Sequence, residues 1–124
     1  MWTFNSSNGE LFDSTGALIE TGYAGGNCGK NPEGRNNQAY QYTSNIGPLP
    51  VGLYTFGDPV EGTHLGPFAI PLTPDTSNDM RGRGDFYCHG DTTPSGNASE
   101  GCIIMSHSTR TRIVNSGDNR LQVV

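Results

Sequence analysis

Turn-forming stretches punctuate this chain so often that only short extended segments fit between them. Asn8-Gly9 and Ser14-Thr15-Gly16 separate Trp2-Thr3-Phe4, Glu10-Leu11-Phe12 and Ala17-Leu18-Ile19-Glu20. Three strand candidates this close together must pair antiparallel, because a parallel crossover needs far more chain. Gly22 to Arg35 is rich in Gly, Asn and Pro and reads as a surface loop, long enough to rim a cleft.

Further on, Gly47-Pro48-Leu49-Pro50 fixes a turn that feeds a strand, with Val51, Leu53 and Thr55 alternating against Gly52, Tyr54 and Phe56. His64 to Leu72 reads as another strand, interrupted or placed at an edge by its prolines. Pro74 to Gly84 is polar and irregular, and Asp85 to His89 resumes a strand. Ser106 to Asn115 lacks Gly and Pro and forms a short helix that Ser116-Gly117 ends. Arg120 to Val124 makes a final strand. With 18 Gly and 8 Pro in 124 residues and only 15% charged side chains, the chain is mainly β. We expect a small β-sandwich or barrel with one short helix after Cys102, in a single domain spanning residues 1–124.

Charge narrows the partners. Seven basic against twelve acidic residues leave a net charge of −5, which argues against nucleic acid and against an anionic membrane surface. No apolar run approaches the ~18 residues of a membrane span. Met1-Trp2-Thr3-Phe4 lacks the basic start and apolar core of a signal peptide, so export would use another route or the chain would be a mature form.

The three cysteines, Cys28, Cys88 and Cys102, leave at least one thiol unpaired in a monomer. Two states are open: a Cys28–Cys88 disulfide with Cys102 free, or three reduced thiols. A cysteine attacks carbonyls as thiolate and needs a base or a positive neighbour. Phe86-Tyr87-Cys88-His89-Gly90-Asp91 followed by Ser99-Glu100-Gly101-Cys102-Ile103-Ile104 brings His89 and Cys102 into one stretch, as base and nucleophile. In a strand the Cys88 side chain points opposite to that of His89, which makes it a core or disulfide residue. His64 and His107 lie outside this motif, although His64 is a candidate to line a cleft.

His89-Gly90, then Ser99-Glu100-Gly101-Cys102-Ile103, resembles the His-Gly to Ser-x-Gly-Cys signature of the L,D-transpeptidase catalytic domain. The upstream Gly47-Pro48-Leu49-Pro50-Val51-Gly52-Leu53-Tyr54 is similar to the strand entry of that family. With the short length and the opening Trp2 to Gly25 segment, the chain most resembles the compact branch of type VI secretion effectors acting on the cell wall of competing bacteria. It has Glu100 where most housekeeping members have histidine, and Ile104 where they have arginine. Arg81, Arg83, Arg110 and Arg112 are therefore candidates for the substrate-carboxylate contact.

The resemblance implies a thiol acyl transfer without cofactor or metal. Cys102 attacks the carbonyl joining meso-diaminopimelate to the terminal D-alanine of a tetrapeptide stem, forming a thioester, while His89 takes the thiol proton and passes it to the leaving amine. Gly90 is the third member, its backbone carbonyl orienting the imidazole. Gly101 lets the backbone turn sharply, so that the Gly101 and Cys102 N–H groups face the developing oxyanion, and Ser99 braces the turn. A helix beginning soon after Cys102 would favour the thiolate. Water as acceptor makes the protein an L,D-carboxypeptidase, a diaminopimelate amine a crosslinking transpeptidase, and a free D-amino acid an exchange enzyme. The implied setting is the periplasm of a target bacterium, with a cognate periplasmic immunity protein in the producer.

Three other readings compete. A zinc module using Cys88, His89 and Cys102 lacks the four ligands and paired cysteines of structural sites. A papain-like amidase has its cysteine before its histidine, the reverse of this chain. A noncatalytic β-sandwich that binds cell wall would have no need of the His-Gly and Ser-x-Gly-Cys pair.

Overall fold

Period-two alternation decides which face of each strand is interior. A computed structural model of the chain describes residues 1–62, 64–93 and 95–124. Strands β1 (Trp2–Asn5), β2 (Glu10–Phe12), β3 (Leu18–Thr21) and β4 (Tyr23–Ala24) precede a run of 3-10 turns. Then come β5 (Gly52–Phe56), β6 (Ile70–Pro74), β7 (Phe86–His89), β8 (Ile103–Ile104), helix α1 (His107–Asn115) and β9 (Arg120–Val123). Trp2 and Phe4, Tyr54 and Phe56, Ile70 and Leu72, Phe86 and Cys88, and Leu121 and Val123 all turn inward and form one core. Each such large apolar side chain contributes about 1.5–3 kcal/mol on burial.

The strands pair in the order β3-β2-β1-β9-β5-β6-β7-β8-β4, as a nearly closed nine-stranded barrel. The hairpins β1–β2 and β2–β3 are antiparallel, while β1 with β9 and β7 with β8 are parallel. The edges of this order, β3 and β4, are consecutive in the chain with only Gly22 between them. Gly22 donates its N–H to Gly9 O (2.8 Å), and a Cβ on it would run into the Ile104 carbonyl of β8. A residue without a side chain is what lets the chain pass hard against β8 on its way from β3 to β4.

Three expectations change. Gly22 to Arg35 is not a surface loop at its start: Tyr23 to Gly26 are buried, and Tyr23–Ala24 pair with β8 to close the barrel. Within the His64 to Leu72 segment the strand begins only at Ile70, and β6 is central, between β5 and β7. A proline is tolerated at Pro71 because it sits opposite Gly57, just past the end of β5, where it need only accept the Gly57 N–H (2.8 Å). Finally, α1 follows Cys102 as expected, at His107–Asn115, but β8 lies between them, so the helix N-terminus is not the source of a thiolate-favouring field. The Ser106 side chain caps it through the Thr109 N–H (3.3 Å), and the β3 carboxylate of Glu20 accepts the Ser106 N–H (3.1 Å), so the positive helix end faces Glu20. Among the described residues no helix is long and apolar enough to cross a membrane.

Candidate active site

The parallel register of β7 and β8 brings the two halves of the motif together. His89 is opposite Ile104 and Cys88 opposite Ile103, which places Cys102, at the mouth of β8, beside Tyr87. The Tyr87 N–H donates to Cys102 Sγ (3.3 Å). Alternation along β7 then sends Phe86 and Cys88 into the core and Tyr87 and His89 to the other face. There His89 and Cys102 line one cleft of about 840 Å³, together with Gly90, Asp91, Arg83, Glu100, His64 and Cys28.

His89 is 3% exposed, and its Nδ1 lies 3.0 Å from Gly90 O. A carbonyl only accepts, so Nδ1 carries the proton and Nε2 keeps its lone pair. That Nε2 is buried and has no hydrogen-bond partner among the described residues. Burial holds the imidazole pKa below its ordinary 6.5, only partly offset by the Gly90 carbonyl, so the ring is neutral at physiological pH. Burial also pushes the Cys102 thiol up to about 11, against the Tyr87 N–H and the Arg83 charge, which both favour thiolate. At rest the pair is therefore thiol and neutral imidazole: a base beside an acid it must help to ionise.

The turn before Cys102 is built by Ser99, which is fully buried. Its Oγ accepts the Gly25 N–H (2.8 Å) and the Gly101 N–H (3.0 Å) and donates to Cys102 O (2.6 Å). The Gly101 N–H, expected to face an oxyanion, donates here to Ser99 Oγ. The Cys102 N–H and the Tyr87 N–H are the backbone donors nearest the sulfur, and Tyr87 carries no sequence signal because its main chain does the work. Gly101 has φ +145°, and a Cβ there would come within 2.6 Å of Arg83 Nη2 and 2.7 Å of Phe86 Cε1.

The four arginines separate. Arg81 lies outside the cleft, over the Tyr42 ring (3.9 Å) and beside Asp79 (3.3 Å). Arg112 is also elsewhere, near Asp13 (3.8 Å) in a groove with Trp2. Arg83 lines the cleft, but its guanidinium donates to the carbonyls of Gln41, Gly47, Pro48 and Glu100, tying the Cys102 turn to the Pro48 segment. Arg110 is buried and donates to the carbonyls of Met105, Ser106, Pro67 and Phe68. Both are structural clamps whose donors face backbone.

All three cysteines are free. Cys88 is a core residue at 1% exposure, and Cys28 stands at the cleft with its Sγ 3.7 Å from Glu100 Oε1, so the disulfide alternative falls. His107 packs against Phe68 (ring centroids 5.2 Å apart) on α1. Among the described residues no group of three or more His, Cys, Asp or Glu is placed to hold a metal ion.

Fold and cleft together define a small β-barrel protein with a half-buried thiol at the start of β8 and a buried imidazole on the parallel strand β7. The chain belongs to the Tlde1 domain family, whose model matches residues 23–124, and this is a family of type VI secretion effectors. β1, β2 and β3 precede the matched segment and yet pair in the same sheet. Comparison with curated proteins and with solved structures gives no match.

Proposed function

We propose that the protein is a cysteine acyltransferase of the cell wall, an L,D-transpeptidase or L,D-carboxypeptidase that cleaves the diaminopimelate to D-alanine bond of tetrapeptide stems in a target periplasm. The observation that carries this reading is the neutral His89, fixed through Nδ1 by Gly90 O and left with an unpartnered Nε2 in the cleft that Cys102 lines. Cys102 Sγ adds to the scissile carbonyl as His89 Nε2 takes its proton, the Cys102 N–H stabilises the oxyanion, and the imidazolium then protonates the leaving amine. Water or an amine resolves the thioester by the same path in reverse. Burial that pushes the Cys102 thiol up to about 11 favours proton transfer to His89 concerted with attack.

The test is mass spectrometry of purified tetrapeptide muropeptides incubated with the protein, with and without D-methionine. The expected products are tripeptide and the D-methionine-exchanged stem, both lost in Cys102→Ala and nearly lost in His89→Ala, with the fold intact by circular dichroism. Turnover by Cys102→Ala, or binding of muropeptide without turnover by the wild type, would overturn the proposal.

A further inference from the structure

The cleft that Cys102 and His89 line sets one cation against three carboxylates. Among the described residues Arg83 is the one Arg or Lys on its wall, and its guanidinium is spent on four backbone carbonyls. The carboxylates are Asp85, Asp91 and Glu100. Asp91 is committed: it accepts from the Tyr23 hydroxyl (2.5 Å), the Thr92 N–H (2.8 Å) and the Gly96 N–H (3.0 Å). It also stands on the wall shared with a second cavity of about 550 Å³, where Arg35 lies 4.2 Å from the centroid of the Tyr23 ring. Against burial, those hydrogen bonds and the Arg35 charge hold the Asp91 carboxyl below its ordinary range. Asp85 and Glu100, by contrast, make no ion pair among the described residues.

Of these two, Glu100 is the one placed at the reacting sulfur. It directly precedes Gly101-Cys102, and Arg83 donates to its carbonyl (2.9 Å), which fixes the base of the side chain. Its Oε1 lies 3.7 Å from Cys28 Sγ, and Oε2 has no hydrogen-bond partner among the described residues. Burial is the largest influence raising the Cys28 and Cys102 thiols, and the Glu100 charge adds to it at both, so the carboxylate is within electrostatic reach of both sulfurs. Lys30, whose charge reaches Cys28, is not on the cleft wall and makes no ion pair among the described residues. His89, 3% exposed, adds a second unpartnered acceptor, its Nε2. An occupant complementary to this cleft therefore brings N–H groups and positive charge. We propose that Glu100 binds a primary ammonium group of the substrate, so that the cleft selects an amine-bearing peptide or amino acid. This rests on the acyl-transfer reading above. An ammonium seated there also cancels a charge that opposes the Cys102 thiolate, so the bound substrate eases ionisation of its own nucleophile.

The ammonium has two sources, the free diaminopimelate amine of the acyl donor or a side-chain amine on the acceptor, and the experiment has an arm for each. The first compares tetrapeptide muropeptides with that diaminopimelate amine free or acetylated, using wild-type protein, Glu100→Gln and Glu100→Asp; Glu100 is exposed, so both variants should keep the fold. Acetylation should raise KM about tenfold more in the wild type than in Glu100→Gln, with Glu100→Asp between them. The second arm compares D-lysine with D-norleucine as exchange acceptors, and a preference for D-lysine that Glu100→Gln removes assigns the ammonium to the acceptor. Added salt should shrink whichever preference is found. Wild-type turnover in which neither acetylation nor acceptor charge costs more than it does in Glu100→Gln overturns the Glu100 site and leaves the thiol chemistry standing. Absence of wild-type turnover on the free-amine muropeptide overturns both proposals.

Discussion

Cys102 and His89 are each set by burial, in opposite senses that have the same result: both neutral forms are favoured. Alkylation of Cys102 by iodoacetamide, followed in a Cys28→Ser background, should quicken about tenfold per pH unit across neutral pH and level off only towards 11. A plateau near pH 7 would instead reveal a preformed thiolate–imidazolium pair. The pH profile of kcat/KM should rise through the His89 pKa, below 6.5, and then stay level through neutrality. His89, Gly90, Ser99, Gly101 and Cys102 were all legible as a local pattern, since they lie within one short stretch of chain. Tyr87 and Arg35 were not. Tyr87 enters through its main-chain N–H, which every residue but proline carries, and Arg35 reaches the neighbouring cavity from a 3-10 turn distant in sequence from the motif.

Among the elements, the Ser99–Cys102 turn depends on one hydroxyl and one glycine. Ser99→Ala strands the buried Gly25 and Gly101 N–H groups and should cost about 1–3 kcal/mol per unsatisfied group, read from urea unfolding. Gly101→Ala forces a side chain into a backbone conformation it avoids and against Arg83 and Phe86, for about 1–3 kcal/mol of strain before any clash. Both variants should lose turnover together with stability, whereas Cys88→Ser, in the core, should lose stability with little change in kcat. Short strands with period-two alternation could be read from the residues. The central place of β6 could not, because a proline's tolerance depends on whether the neighbouring strand extends past it.

For the whole molecule, the buried neutral His89 links stability to pH. Its folded pKa is depressed, so the unfolded state binds the extra proton, and stability present above about 6.5 is lost as pH falls through the folded value. A second loss follows below 3.8, where Asp75, lowered by its hydrogen bond to Arg120, becomes protonated. Thermal melts should show Tm declining in the first window for the wild type and flat there for His89→Gln. Unchanged slopes in that variant would move the linkage to another group. By itself the sequence determined the strand-rich class, the short helix and the thiol–imidazole pair, because turn residues, alternation and a compact motif act over a few neighbouring positions. The tertiary structure decided that the nearly closed barrel runs from β3 into β4 across Gly22, that Arg83 and Arg110 are clamps, and that Arg35 faces the second cavity. Those outcomes depend on which backbone carbonyls and ring faces distant segments bring within reach, and no local pattern of side chains encodes that.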